Sequence, residues 1–284
     1  MLRKILSLVR RKKKITLVDS SNDQKILFKK LSYEKIIGID TEFDWRSTYF
    51  PVLSVLQIST KKEIFLIDFL KFKNTTELKK VLEDNKILKI LHSSRSDSTV
   101  LSNCLDIFMN NVFDIQQAEK VFSNGKIYSY ADIVRKYMKI SLKKSETNSN
   151  WLKRPLTKSQ TKYAAEDVDF LIDIFKLQTK NISSQVLEEV YSKSHQETLN
   201  GNEKLKESRF KKRKNKLTSK GREIFLWREN LAEIENIPPN YIFKESNLPF
   251  LEKLTKENEK NLKKKVMKII GDSKYIREFI SRFV

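Results

Sequence analysis

Asp40 and Glu42 stand two residues apart at the end of a short apolar run, KIIGI over 35–39, whose β-branched residues read as a buried strand. Side chains two apart on extended backbone project to the same side. Two acids so placed repel each other unless a cation neutralises them, so the pair points to a metal. Asp97 lies near the start of a predicted helix that follows another short strand. Asp167 falls in YAAEDVDF, 163–170, a run of helical period whose apolar face continues through Leu171 and Phe175. Tyr163 and Asp167 are four apart and share a helix face. A carboxylate on the face of a packed helix is costly unless it is paired or holds a metal. The chain has two histidines, His92 and His195, and one cysteine, Cys104. Metal chemistry must therefore rest on carboxylates, and hard oxygen ligands select magnesium or manganese over zinc.

Positioning these acids requires a sheet and packed helices. VLSVLQIS (52–59) and EIFLID (63–68) read as two further strands around the turn Thr60-Lys61-Lys62, which with the first make a meander. Residues 75–83 read as a helix, capped by Thr75 or Thr76, with Leu78, Val81 and Leu82 on one face. A strand over 89–91 ends at His92. The helix over 96–103 turns Val100, Leu101 and Cys104 inward. NVFD (111–114) is another short strand, with Asp114 in a capping place, and helices dominate from Gln116 onward. Strands followed by helices, with some alternation, predict an α/β domain over residues 15–200. Residues 201–222 are polar and basic without apolar periodicity and read as a linker, or as a helix end followed by a linker. Residues 223–284 read as a compact helical domain interrupted at Pro238-Pro239.

The formal net charge is +21, from 57 Lys and Arg against 36 Asp and Glu. Such a surplus favours a polyanionic partner, nucleic acid or an acidic membrane surface. Residues 206–284 hold 21 basic and 11 acidic side chains, so the excess is spread along the chain. A lone cysteine excludes an internal disulfide and a thiolate zinc site, and fits a reducing compartment. No apolar run reaches the ~18 residues of a membrane span. Residues 1–17 are basic, with no acid before Asp19, and read as a basic arm or a fraying extension. The cytoplasm is the expected location, with a mitochondrial transit peptide the alternative.

IDTEFDWRSTYFPVLSVLQIS, LHSSRSDSTVLSN and WLKRPLTKSQTKYAAEDVDFL, in that order, resemble the three exonuclease motifs of the ribonuclease D family. This is the tyrosine-containing branch of the DEDD 3′–5′ exonuclease superfamily, and no histidine lies near Tyr163. The resemblance covers roughly residues 30–180. It implies a ribonuclease H-like α/β exonuclease fold. It also implies two divalent ions, one held by Asp40, Glu42 and Asp167, the other bridged by Asp40 with Asp97 nearby. Tyr163 would position the attacking water. The expected products are nucleoside 5′-monophosphates from RNA, with tRNA 3′ ends the family's usual substrate. Gln57 and His92 are candidate substrate contacts, as are Lys211, Lys212 and Arg213 toward phosphates, with a structural role the alternative for His92. Asp44, Glu166 and Asp169 read as solvated surface beside the site. The stretches IFLWRENLAEI, IPPNYIFKESNLPF and IIGDSKYIREFISRF resemble the HRDC domain, a small helical bundle, in which Phe225 and Trp227 read as core. Two other readings remain: a DNA exonuclease of the same superfamily, and a catalytically silent RNA-binding scaffold.

Overall fold

The computed structural model describes residues 12–72, 75–143, 145–255 and 262–284. The chain divides into two compact units. The first runs to Asp44 and resumes over Val52–Asn202; the second is Trp45–Pro51 with Glu203–Val284.

The first unit opens with β1 (Lys14–Val18), α1 (Ser21–Leu31), β2 (Ile36–Asp44), β3 (Val52–Ser59) and β4 (Glu63–Asp68). It continues with α2 (Thr76–Glu83), β5 (Leu88–Leu91), α3 (Arg95–Leu105), β6 (Val112–Asp114), α4 (Ile115–Phe122) and α5 (Tyr130–Met138). The last helices are α6 (Lys158–Asp169), α7 (Leu171–Thr179) and α8 (Ser184–Asn202). The sheet order is β1-β4-β3-β2-β5-β6. β2, β3 and β4 form the expected antiparallel meander. β1 joins one edge parallel to β4, and β5 and β6 extend the other edge in parallel. The α/β fold expected from the sequence is therefore present. The N-terminal reading needs correcting: Lys14–Val18, taken as part of an arm, is a strand. Ile15 and Leu17 stay exposed on it, so it lacks the apolar run that marks a buried strand. Residues 1–11 of that arm lie outside the described residues.

Alternation sends the two faces of the sheet to different cores. Ile37, Ile39, Leu56 and Ile58 pack with α1, α2 and α3 through Leu27, Leu31, Leu78, Val100 and Leu101. On the face shared by Asp40 and Glu42, Val55, Leu66 and Ile90 pack with Ala164, Ala165, Val168 and Leu171 of α6 and α7. Gly38 permits this approach, because a Cβ there would lie 2.4 Å from Ser59 Oγ and 3.1 Å from Leu171 Cβ. The Ser59 hydroxyl donates to the Val168 carbonyl at 2.7 Å.

The start of α6 is fixed by a capping box. Gln160 N–H donates to Thr157 Oγ1 and Thr157 N–H to Gln160 Oε1, each at 3.0 Å. Before it, Arg154 forms a fork on Asp68, Nε to Oδ2 at 2.7 Å and Nη2 to Oδ1 at 2.8 Å, and donates from Nη1 to the Trp151 carbonyl at 2.7 Å. The WLKRPL segment is thereby tied to the end of β4. Asp114 behaves as the expected cap, accepting from the N–H groups of Gln116 and Gln117, and also from Ser93 and Ser94.

The second unit contains α9 (Leu205–Arg213), α10 (Ser219–Glu235), α11 (Pro239–Ile242), α12 (Leu248–Leu254), α13 (Leu262–Met267) and α14 (Ser273–Phe283). Residues 201–222 are thus not a linker. Leu205 is buried in this unit's core and Phe210 packs against it, and two apolar anchors suffice to seat an otherwise basic helix. Thr218 then caps α10 by accepting from Gly221 N–H. Trp227 and Phe225 are core residues, as expected. Trp227 packs on Phe279 and Phe283 and donates Nε1–H to Glu278 at 2.8 Å. The segment Trp45–Pro51 also belongs to this unit, so the first domain is not continuous over 15–200. Tyr49 is fully buried, and Asn236 Oδ1 accepts from the N–H groups of Tyr49 and Phe50 at 3.1 Å each.

Candidate active site

β2 delivers Asp40 and Glu42 to one side of the sheet, and α6, packed on that side, delivers Asp167. Ligand oxygens of the three lie within 4.8 Å of one another. Thr41, between the two acids, points to the opposite face. Its hydroxyl donates at 2.6 Å to Asp97 Oδ1, near the first turn of α3, and Asp97 is 4% exposed. The register of β2 and β3 shifts between Glu42 and Phe43, a bulge that ends the regular alternation just past the acids.

The four carboxyls burden one another. Burial and then the charge of Asp167 raise the Asp40 carboxyl well above the ordinary range, against a backbone hydrogen bond from Thr41. Burial, then Asp40, Asp167 and Asp97, push Glu42 up to about 10. Asp97 is likewise raised, by burial and then Asp40, and the Thr41 hydroxyl opposes the rise. Asp167 reaches about 7 through burial and Glu166, while a hydrogen bond from Tyr163 works the other way. Four acids held this way in protein alone would take up protons. A divalent cation offers the compensation they lack, and an all-oxygen donor set suits a hard one. Tyr163 is held at about 12 by burial and by Asp167, and its hydroxyl lies 3.4 Å from Thr147 Oγ1.

The other candidate contacts have the following surroundings. Gln57 is the cross-strand partner of Asp40, is fully buried, and neither amide atom has a hydrogen-bond partner. It lies beneath the acids rather than on a surface. His92 Nε2 lies 3.1 Å from the Tyr128 carbonyl and 3.3 Å from Gln116 Nε2. Lys211, Lys212 and Arg213 are on α9 in the helical unit. Lys211 pairs with Glu203 at 2.7 Å and Arg213 with Glu245 at 2.6 Å. Of the acids read as solvated surface, Asp44 is instead buried, Glu166 pairs loosely with Lys162 at 3.7 Å, and Asp169 pairs with Lys13 at 3.5 Å. Thr41 and Arg154 were not singled out from the sequence. A polar residue between two acids in a buried strand was the available signal for Thr41.

A mixed sheet that brings three carboxylates within ligand reach, with a fourth close by and a tyrosine on the same helix as the third, defines an acid cluster suited to a divalent cation. Residues 15–182 match the 3′–5′ exonuclease family, and the chain belongs to that family. Ribonuclease D of Desulfotalea psychrophila is 33% identical over 248 residues, 83% of this chain and 66% of that protein. Ribonuclease D of Haemophilus influenzae is 29% identical, over 79% of this chain and 58% of that protein. The chain thus spans a little under two thirds of the length of these relatives. The crystal structure of Escherichia coli RNase D, described as an exoribonuclease involved in structured RNA processing, shares the fold with a TM-score of 0.82. It is 23% identical, and the match covers 95% of this chain and 73% of that one. The catalytic core of RRP6 from Trypanosoma brucei shares the fold at a TM-score of 0.68 and 21% identity, over 96% of this chain and 81% of that one.

Proposed function

We propose that this protein is a divalent-metal-dependent 3′→5′ exoribonuclease that trims structured RNA, tRNA precursors among them, in the cytoplasm. The observation that carries the reading is the convergence of Asp40, Glu42 and Asp167 within 4.8 Å. The ribonuclease D relatives and an RNase D of Trypanosoma brucei solved with RNA U12 favour RNA over DNA. Among the described residues no helix is long and apolar enough to cross a membrane.

Magnesium or manganese held by Asp40, Glu42, Asp97 and Asp167 would supply the positive charge and Lewis acidity that phosphodiester hydrolysis needs. The chain's own residues do the rest. Tyr163, its phenol pushed up to about 12, keeps its proton at neutral pH and orients a water by hydrogen bonding instead of deprotonating it. The same hydroxyl, bonded to Asp167, holds that carboxylate in place. Thr41 fixes the rotamer of Asp97 from beneath. Water adds to the terminal phosphorus, the bond to the 3′ oxygen breaks, and a nucleoside 5′-monophosphate leaves a chain shorter by one. The helical unit, which we read as HRDC-like, is an auxiliary nucleic-acid contact.

End-labelled RNA and DNA of the same sequence, incubated with magnesium, manganese or EDTA, test the reading. Mononucleotides released from the RNA 3′ end only with metal are expected. Degradation in excess EDTA would remove the mechanism. Preference for DNA would reassign the substrate. Binding of RNA without turnover in either metal would leave a silent scaffold.

A further inference from the structure

The helical unit holds a cluster of cations that the hydrolytic chemistry does not use. A cavity of about 300 Å³ is walled by Arg209, Lys212, Arg213 and Arg228, with Glu229 and Glu245. Four cations against two carboxylates leave the wall with a formal charge of +2. Arg228 is the unusual member, because its side chain is only 3% exposed. Its guanidinium is packed 5.0 Å from the ring of Phe225 and 5.1 Å from that of Phe243. Nη2 donates to Glu229 Oε1 at 3.0 Å and to Glu245 Oε2 at 3.4 Å. Nε and Nη1 are buried with no hydrogen-bond partner.

Buried charged donors left unpaired are costly, and folded proteins rarely keep them. The two carboxylates within reach do not serve them. Glu229 is shared with Arg209 at 3.1 Å, and Glu245 with Arg213 at 2.6 Å. The Lys212 side chain, exposed at the rim, makes no hydrogen bond or ion pair among the described residues. A ligand that completes the set must be anionic and rich in acceptor oxygens. It must also be small where it meets Arg228, since two aromatic rings confine that guanidinium.

We infer that this cavity binds a phosphate group, with Arg228 as the buried donor and Lys212 as the mobile one. A phosphate presents several acceptor oxygens to a guanidinium and a point charge to a lysine. Its source is a backbone phosphodiester of the RNA, an assignment that rests on the exoribonuclease reading. The phosphate site itself does not.

The full chain in EDTA allows both to be tested, because turnover is suppressed and the acid cluster, without metal, repels phosphate. One arm measures inorganic phosphate binding by 31P line broadening for the wild type, Lys212→Ala and Arg228→Lys. The other measures affinity for a tRNA-sized RNA across a salt series. Phosphate binding should weaken several-fold in both variants, and in Lys212→Ala, which removes a cation, the log–log salt slope for RNA should shallow by about 0.7–0.9, the value of one phosphate contact. Wild-type phosphate binding no tighter than that of the variants overturns the site. Weakened phosphate binding with unchanged RNA affinity and slope overturns the RNA source and assigns the cavity to free phosphate. If Arg228→Lys does not fold, the exposed Lys212→Ala decides both arms. Absence of RNA degradation by the wild type in magnesium would sink the exoribonuclease reading and leave the phosphate arm standing.

Discussion

Asp167→Asn should make the metal-free protein more stable while destroying its activity. The carboxyl is raised from an ordinary 3.8 to about 7 by burial and by Glu166. The folded state therefore binds more protons than the unfolded chain between those values. Stability falls as pH rises through this window, and the loss is complete above pH 7. Each pH unit between the two values is worth about 1.4 kcal/mol, so ionised Asp167 destabilises the apo fold by roughly 4 kcal/mol at pH 8 and roughly 2 kcal/mol at pH 5. Asparagine keeps the shape and still accepts from Tyr163, but carries no charge. At about 2–4 °C per kcal/mol, the apo variant should melt on the order of 10 °C above wild type at pH 8, with a smaller gap at pH 5. Thermal melts in EDTA at the two pH values measure this. Magnesium should then narrow the gap, since the wild type gains binding energy that the variant has lost. An apo variant less stable than wild type at pH 8, or a gap that does not shrink toward pH 5, would refute the electrostatic account of the cluster.

Other perturbations separate the remaining roles. Asp40→Asn should abolish turnover with an unchanged circular dichroism spectrum, because it removes one of the three carboxylates that converge within ligand reach; residual activity above a hundredth of wild type would count against it. Tyr163→Phe should lower single-turnover rates by about 10²–10⁴-fold while RNA affinity stays within twofold; wild-type rates would discard the water-orienting role. Arg154→Ala leaves Asp68 buried and unpaired, and should cost about 3–5 kcal/mol in urea unfolding; a loss under 1 kcal/mol would show that the fork is not what ties the WLKRPL segment to β4.

The acids were legible because local chemistry and local structure agree at each of them. An apolar β-branched run ends in Asp-Thr-Glu, and a helical period carries Tyr163 and Asp167 on one face. The meander was legible for the same reason: β2, β3 and β4 are long apolar runs separated by polar turns. What escaped depends on partners distant in sequence. β1 has the composition of an edge, with lysine and exposed isoleucine and leucine, and becomes a strand only because β4 offers it a ladder. α9 is so basic that its apolar period disappears, and only the bundle core tells Leu205 and Phe210 from incidental residues. Trp45–Pro51 lies inside the first exonuclease motif, between β2 and β3, so no composition shift marks its change of allegiance. Its tyrosine is held by Asn236, Glu229 and Arg209, all some 160 residues or more away. The segment after Asp-x-Glu is therefore a lien on the helical unit. A cut at Glu203 would strip Tyr49 of these partners and expose a buried ring one short loop from the acids, so loss of activity in such a truncation would not by itself measure the helical unit's grip on RNA. Point substitutions in the full chain, such as Lys212→Ala, can separate grip from support, because Lys212 takes no part in holding Tyr49.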